Sequence, residues 1–204
     1  MKLFHSPASP YVRKVMITAW ERGVQNKIEL LPSAASPVQR DAAIVAVNST
    51  GKVPCALTPS GAPLFDSRVI SQFVDQLNPS GTSIYAGPDR FAILTLEALA
   101  DAIADACLLC RYEAMLRPKE LYWADWYNGQ MAKIDSGLDD LEEKWFDLLN
   151  VPHFHAGSIA VACTLGYLDL RFADKDWRTT RPRLAQWFAE VSERTSLKET
   201  LPQG

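Results

Sequence analysis

Three short segments near the start of this 204-residue chain carry residue types that could do chemistry. In Ser9-Pro10-Tyr11-Val12-Arg13-Lys14 a strand-like run, Lys2-Leu3-Phe4-His5, hands over to a helical pattern. Ser is among the best N-cap residues, and Pro suits the first helical position. The same place can instead hold an anion, because unsatisfied N–H groups and the positive dipole end converge there. A hydroxyl at that point could also donate a hydrogen bond to a thiolate. Thr50-Gly51-Lys52-Val53-Pro54 offers a Val-Pro pair at a strand start, either an edge-strand feature or a cis-proline bend. In the bent form the Val53 backbone is open to an extended peptide, as to an added strand. Lys52 beside it supplies a positive charge suited to a carboxylate. Phe65-Asp66-Ser67-Arg68 opens a further helix, read either as a cap or as a carboxylate site. There the Ser67 hydroxyl and N–H would meet the carboxylate, and Asp66 would accept from an ammonium group. Together these pieces suit a small dianionic peptide bearing an amine and a thiol.

The elements that must position them follow from hydrophobic spacing. Val12, Val15, Met16, Ala19 and Trp20 recur at helical intervals up to Gly23. Short β-like runs at Ile28–Leu31, Val53–Leu57 and Pro63–Phe65, a weak helix at Pro37–Val47, and a helix from Asp66-Ser67 to Leu77 complete a βαβαββα order. Asn78-Pro79-Ser80-Gly81 breaks the pattern and starts a linker. From Pro88 onward only helical patterns occur: Phe91–Met115, Lys119–Leu149, Gly157–Leu170 and Arg181–Arg194. Ile134, Leu138, Leu141, Trp145 and Leu148 form a packing stripe, and the 157–170 run is apolar nearly all round, as a central buried helix is. The expected division is an α/β domain at 1–78, a linker at 79–87 and an all-helical domain at 88–204.

Composition excludes several function classes. Twenty-one Lys and Arg against 24 Asp and Glu give a net charge of −3, which argues against a nucleic-acid binder, since that would normally show a basic face. No apolar run reaches the roughly 20 residues of a membrane span, and the first residues lack the apolar stretch of a secretory signal. Four cysteines are too few for a disulfide scaffold, so a reducing cytoplasm is the expected compartment. Cys107 and Cys110 form a C-x-x-C inside a helical run, which reads as core and not as a redox pair. His153 and His155 form an isolated H-x-H, and no metal site is expected.

Over its full length the chain resembles the cytosolic glutathione transferases. The resemblance rests on the Ser9–Lys14 run, Asn48-Ser49-Thr50-Gly51-Lys52-Val53-Pro54-Cys55-Ala56-Leu57 and Leu64-Phe65-Asp66-Ser67, in order. Gly157-Ser158-Ile159-Ala160 and Pro182-Arg183-Leu184 with Trp187 extend it into the second half. The opening is most similar to a bacterial branch with Ser-Pro-Phe or Ser-Pro-Tyr here. The resemblance implies a thioredoxin-like domain followed by an all-α domain, and a cis peptide bond before Pro54. It implies glutathione as co-substrate, no metal, and a homodimer acting in detoxification. Ser9 would stabilise the thiolate, and Val53 would pair with the cysteinyl unit. Ser67, with Asp66 nearby, would bind the γ-glutamyl carboxylate, Lys52 would reach the glycyl carboxylate, and Tyr11 would join the glutathione site. Omega-like members carry cysteine before the proline and form mixed disulfides; serine at position 9 points to conjugation instead. Arg111, Tyr112 and Met115 fall where the family builds its second-substrate pocket. A Ser158–Val161 pair stands where the family has a Ser/Thr-x-x-Asp capping box, leaving half the box missing. The competing class is a non-catalytic member, such as stringent starvation protein A, that keeps the fold for protein–protein contacts.

Overall fold

The computed structural model describes every residue except Pro88, so the expected start of the helical domain lies outside the described residues. The chain forms two compact units, Met1–Ala86 together with Arg194–Gly204, and Gly87–Glu193.

In the first unit the elements are β1 (Lys2–His5), α1 (Pro10–Glu21), β2 (Glu29–Pro32), α2 (Ala42–Val47), β3 (Cys55–Leu57), β4 (Pro63–Leu64) and α3 (Ser67–Gln76). The sheet order is β2-β1-β3-β4, with β1 parallel to β2 and antiparallel to β3, and β4 antiparallel to β3. Alternation along β1 sends Leu3 and Phe4 to opposite faces. Leu3 meets Val12, Val15 and Ala19 of α1 and Ile70 and Val74 of α3. Phe4 meets Ile44 of α2 and Cys55. This is the thioredoxin-like arrangement.

Two local expectations are corrected. The helix expected from Pro37 begins only at Ala42, because Asp41 caps it by accepting from Ala43 N at 2.9 Å and Ile44 N at 3.4 Å. Val53 and Pro54 lie outside β3, and Phe65 lies outside β4.

The segment read as a linker is fastened to the first unit. Arg22, 7% exposed, pairs with Asp75 at 2.9 Å and donates to the carbonyls of Asn78, Ser80 and Thr82. Asp75 in turn accepts from Ser83 Oγ and from Ile84 N. Residues 78–84 therefore hang on one buried ion pair, which no hydrophobic pattern reveals.

The end of the chain returns to α1. A one-turn helix, Thr195–Lys198, packs on it, and Arg13 Nη2 donates to the Leu197 carbonyl at 3.2 Å. Arg194 forms a two-point ion pair with Glu21, which also accepts from Ser196 Oγ. The run expected as 88–204 thus divides at Arg194, where polar contacts and the buried Leu197 side chain bind the last residues to α1.

The second unit is helical: α4 (Arg90–Leu116), α5 (Ala124–Glu143), α6 (Phe146–Leu149), α7 (Ala156–Arg171) and α8 (Pro182–Ser192). Helix α4 packs on α5 and α7. A Cβ added at Gly137 would lie 2.5 Å from Ile103, so the α4–α5 approach needs glycine there. The pattern expected as one helix over Lys119–Leu149 breaks after Glu143, where Lys144 N and Trp145 N both donate to the Asp140 carbonyl. Ile134, Leu138 and Leu141 are fully buried as the stripe requires, but the break shifts the phase and buries Leu149 in place of Leu148.

Helix α7 is buried from Ala156 to Leu168. Its cap corrects the reading of Ser158 as the start of a capping box. His155 is the N-cap: Nδ1 accepts from Ser158 N at 3.2 Å while Nε2 donates to the Leu148 carbonyl at 3.0 Å. An imidazole that accepts at one nitrogen and donates at the other is neutral. Burial holds the His155 pKa below its ordinary value.

Candidate functional site

Strand register decides which of the sequence-read residues share a locality. Phe4 pairs with Cys55 in antiparallel sense, so the start of β3 lies at the end of the sheet where β1 finishes. Ala56 pairs with Leu64, again antiparallel, so β4 finishes at that same end. The β1–α1 turn, Val53–Pro54 and the β4–α3 turn are thereby gathered at one end of the sheet. Ser9, Val53 and Asp66 sit in these connections, and Ser67 opens α3.

Ser9 is the N-cap of α1, with Oγ accepting from Val12 N at 3.3 Å and Pro10 at the first helical position. Accepting uses a lone pair of the hydroxyl and leaves its proton available for donation. Capping and thiolate stabilisation are therefore compatible in one side chain. Tyr11, the next residue but one, is half-buried.

The Val53–Pro54 bond is cis, as is Phe65–Asp66. Val53 makes no backbone hydrogen bond to another described residue, so its N–H and C=O are open to pairing. Lys52 is exposed, and its ammonium group pairs with no carboxylate among the described residues.

The loop carrying Lys52 is organised by Asn48, which is 2% exposed. Its Oδ1 accepts from Thr50 N and from Thr50 Oγ1, and its Nδ2 donates to the Lys52 carbonyl at 3.0 Å. Gly51 turns the loop at φ +70°, a conformation that disfavours any side chain. Sequence reading gave Asn48 no role; an Asn two residues before a Thr and ahead of a Gly is the Asx-turn signal that could have found it.

Asp66 caps α3 by accepting from Arg68 N at 3.0 Å. That removes capping as the explanation of Ser67. Ser67 is the first helical residue, 2% exposed, and its hydroxyl bonds to no described residue. An unpartnered hydroxyl beside orphan helix N–H groups can donate to an anion.

Cys55 is buried on the sheet, and desolvation, with Asp41 adding to it, pushes its thiol pKa up to about 11. It is no competitor for thiolate chemistry.

The family description "Glutathione S-transferase, N-terminal domain" matches residues 8–77, and "Glutathione S-transferase, C-terminal domain" matches residues 124–190. The Escherichia coli K12 protein described as uncharacterized GST-like protein YibF is 32% identical, over 99% of this chain and 98% of its own. The chain belongs to the glutathione S-transferase family. A family member from Pseudomonas fluorescens Pf-5, solved with bound glutathione, shares 45% identity over 100% of this chain and 99% of its own, with a TM-score of 0.96. A Pf-5 structure with bound S-(propanoic acid)-glutathione shares 43% identity over 100% of both chains, with a TM-score of 0.90.

The residues expected to form a second-substrate pocket belong to the second unit. Arg111 and Tyr112 are half-buried near the end of α4, and Met115 is 62% exposed. Arg111 and Met115 line a recess of about 430 Å³ together with Cys110, Tyr127, Arg171 and Lys175. Tyr112 does not line it, and burial raises its pKa. Arg171 and Lys175 escaped sequence reading, since they lie some sixty residues away along the chain, and only the fold brings them to Arg111.

Cys107 and Cys110 are free and buried, and desolvation raises their thiols to about 12 and about 11. Among the described residues no group of three or more His, Cys, Asp or Glu is placed to hold a metal ion. No described helix is long and apolar enough to cross a membrane.

Proposed function

We propose that the protein transfers glutathione to small electrophiles. The observation that carries this is the grouping at one end of the sheet. It combines two helix N-termini, an open Val53 backbone and the unpartnered Ser67 hydroxyl, and each answers one part of a γ-glutamyl-cysteinyl-glycine peptide. Ser67, with the α3 dipole behind it, takes the γ-glutamyl carboxylate, and Asp66 takes the ammonium group. Val53 pairs with the cysteinyl unit like an added strand. Lys52, set by Asn48, neutralises the glycyl carboxylate, and Tyr11 borders the peptide.

The thiol then lies against the start of α1. Ser9 donates its hydroxyl proton to the sulfur as a hydrogen bond, favouring the thiolate and lowering the thiol pKa toward working pH. The thiolate attacks an electrophilic carbon, a C–S bond forms, and a leaving group departs with its electron pair or an unsaturated carbon takes up a proton. Arg111 and Met115 receive the electrophile, while Tyr112, expected beside them, stays outside the recess. The Pf-5 relative that holds a glutathione thioether supports carbon as the atom attacked. A cytoplasmic homodimer is part of the same reading, checked by sedimentation.

Glutathione titration by calorimetry is the deciding experiment. Binding in the millimolar range or tighter, with turnover of an activated aryl halide, is the expected outcome. No binding at millimolar ligand would favour the competing interaction-module class.

A further inference from the structure

The second unit holds a recess whose charges are unbalanced. Arg111, Arg171 and Lys175 line it, against a single exposed carboxylate, Asp174. Lys175 is committed to Asp135 at 2.7 Å. Arg111 and Arg171 pair with no carboxylate among the described residues. The Arg171 Nε is moreover buried with no acceptor. A buried charged donor left unsatisfied is costly, and native structures seldom keep one without a partner that binds there. Both guanidinium-bearing residues line the same recess, so they share one locality. Met115, Tyr127, Met131 and Phe172 supply apolar wall beside them.

We propose that this recess binds the carboxylate of an acidic electrophile, with Arg111 and Arg171 as the anchoring cations. The inference rests on the transferase reading above and names its substrate class. A planar guanidinium presents two N–H groups to a carboxylate in parallel, which a lone ammonium does not. A volume of about 430 Å³ suits a small organic acid with one ring or a short chain. The apolar wall holds the body of the molecule, and the paired cations select for its charge.

The test uses an isosteric pair, 4-nitrobenzoate and 4-nitrobenzamide, titrated into the full chain by calorimetry. The benzoate is expected to bind at least about tenfold more tightly, the scale of one charge-assisted contact. Arg171→Gln and Arg111→Gln should each bring that ratio toward one. Arg171→Lys, which keeps the charge without the fork, should recover part of it, separating loss of charge from local collapse. Equal affinities in the wild type overturn the proposal, as does a ratio that survives in both glutamine variants. Inorganic sulfate is the remaining arm: displacement of the benzoate at equal concentration would mark a site for free anions and overturn the acidic-electrophile reading. None of these titrations needs turnover. A chain that binds the benzoate yet never consumes glutathione breaks the transferase reading alone, and one that conjugates electrophiles without preferring the acid breaks this inference alone.

Discussion

Asn48 Nδ2 donates to the Lys52 carbonyl across 3.0 Å, and this buried amide fixes the loop leading into the cis Val53–Pro54 bond. Removing it leaves the Lys52 carbonyl and two Thr50 donors without their partner. Asn48→Ala should cost about 1–3 kcal/mol of stability, the penalty for polar groups left unpaired. It should also raise the KM for glutathione more than it lowers kcat, because it disturbs peptide binding and not sulfur activation. Denaturant unfolding and steady-state kinetics on the same variant check both parts.

Ser67 offers a cleaner separation of binding from folding. Since Asp66 already caps α3 and the Ser67 hydroxyl bonds to no described residue, Ser67→Ala should leave the melting temperature within about a degree or two. Glutathione binding should weaken by about 1.5–3 kcal/mol, the worth of a hydrogen bond to a charged group. A variant that binds normally but melts early would return Ser67 to a helix-starting role.

Ser9 caps α1, and the proposed function gives it a second job; its alanine variant should reveal both. Loss of the contact to Val12 N should cost about 1 kcal/mol of stability. Loss of the donated proton should raise the pKa of bound glutathione and slow conjugation by about 2.7–4 kcal/mol of transition-state stabilisation. Affinity for glutathione should change little, because the carboxylate and backbone contacts lie elsewhere. Ultraviolet thiolate absorbance of the complex against pH reads the first effect, and an unchanged titration with unchanged turnover would leave Ser9 as a cap only.

The βαβαββα order was legible because Val12–Ala19 and Ile70–Val74 keep strict helical spacing and punctuation by Pro10 and Gly23 marks the ends of α1. The places of Ser9 and Ser67 at the starts of α1 and α3 were legible as well, because helix-start chemistry is local. What stayed hidden depends on contacts distant in sequence. Arg22 looks like any surface arginine until Asp75 and the carbonyls of residues 78–82 surround it. The break after Glu143 follows from one shared carbonyl at Asp140, and periodicity runs through it undisturbed. Arg171 follows an apolar run and carries no mark of the recess it lines.

His155 should make stability depend on pH. Burial lowers its folded-state pKa, so between that value and the unfolded value near 6.5 the unfolded chain binds more protons. Stability contributed by the neutral cap is complete above about pH 6.5 and is lost as the pH falls through the lowered folded-state value. His5 is lowered by burial too and adds a slope of the same sign. His155→Asn, which keeps a capping acceptor without titrating, should flatten the melting-temperature profile between pH 7 and 5 while a residual slope from His5 persists. An identical slope in the variant would remove His155 from the effect.

Because Arg194–Gly204 completes the unit that begins at Met1, translation order and folding order cannot coincide. The ribosome releases Glu21 and Arg13 early, but their partners Arg194, Ser196 and Leu197 emerge only after the whole of Gly87–Glu193. The nascent α1 therefore waits, with part of its surface bare, through the synthesis of the helical unit. During that interval the half-made chain is the form most exposed to chaperones and proteases, and a stall anywhere before residue 194 would leave the peptide-binding fold without its clasp.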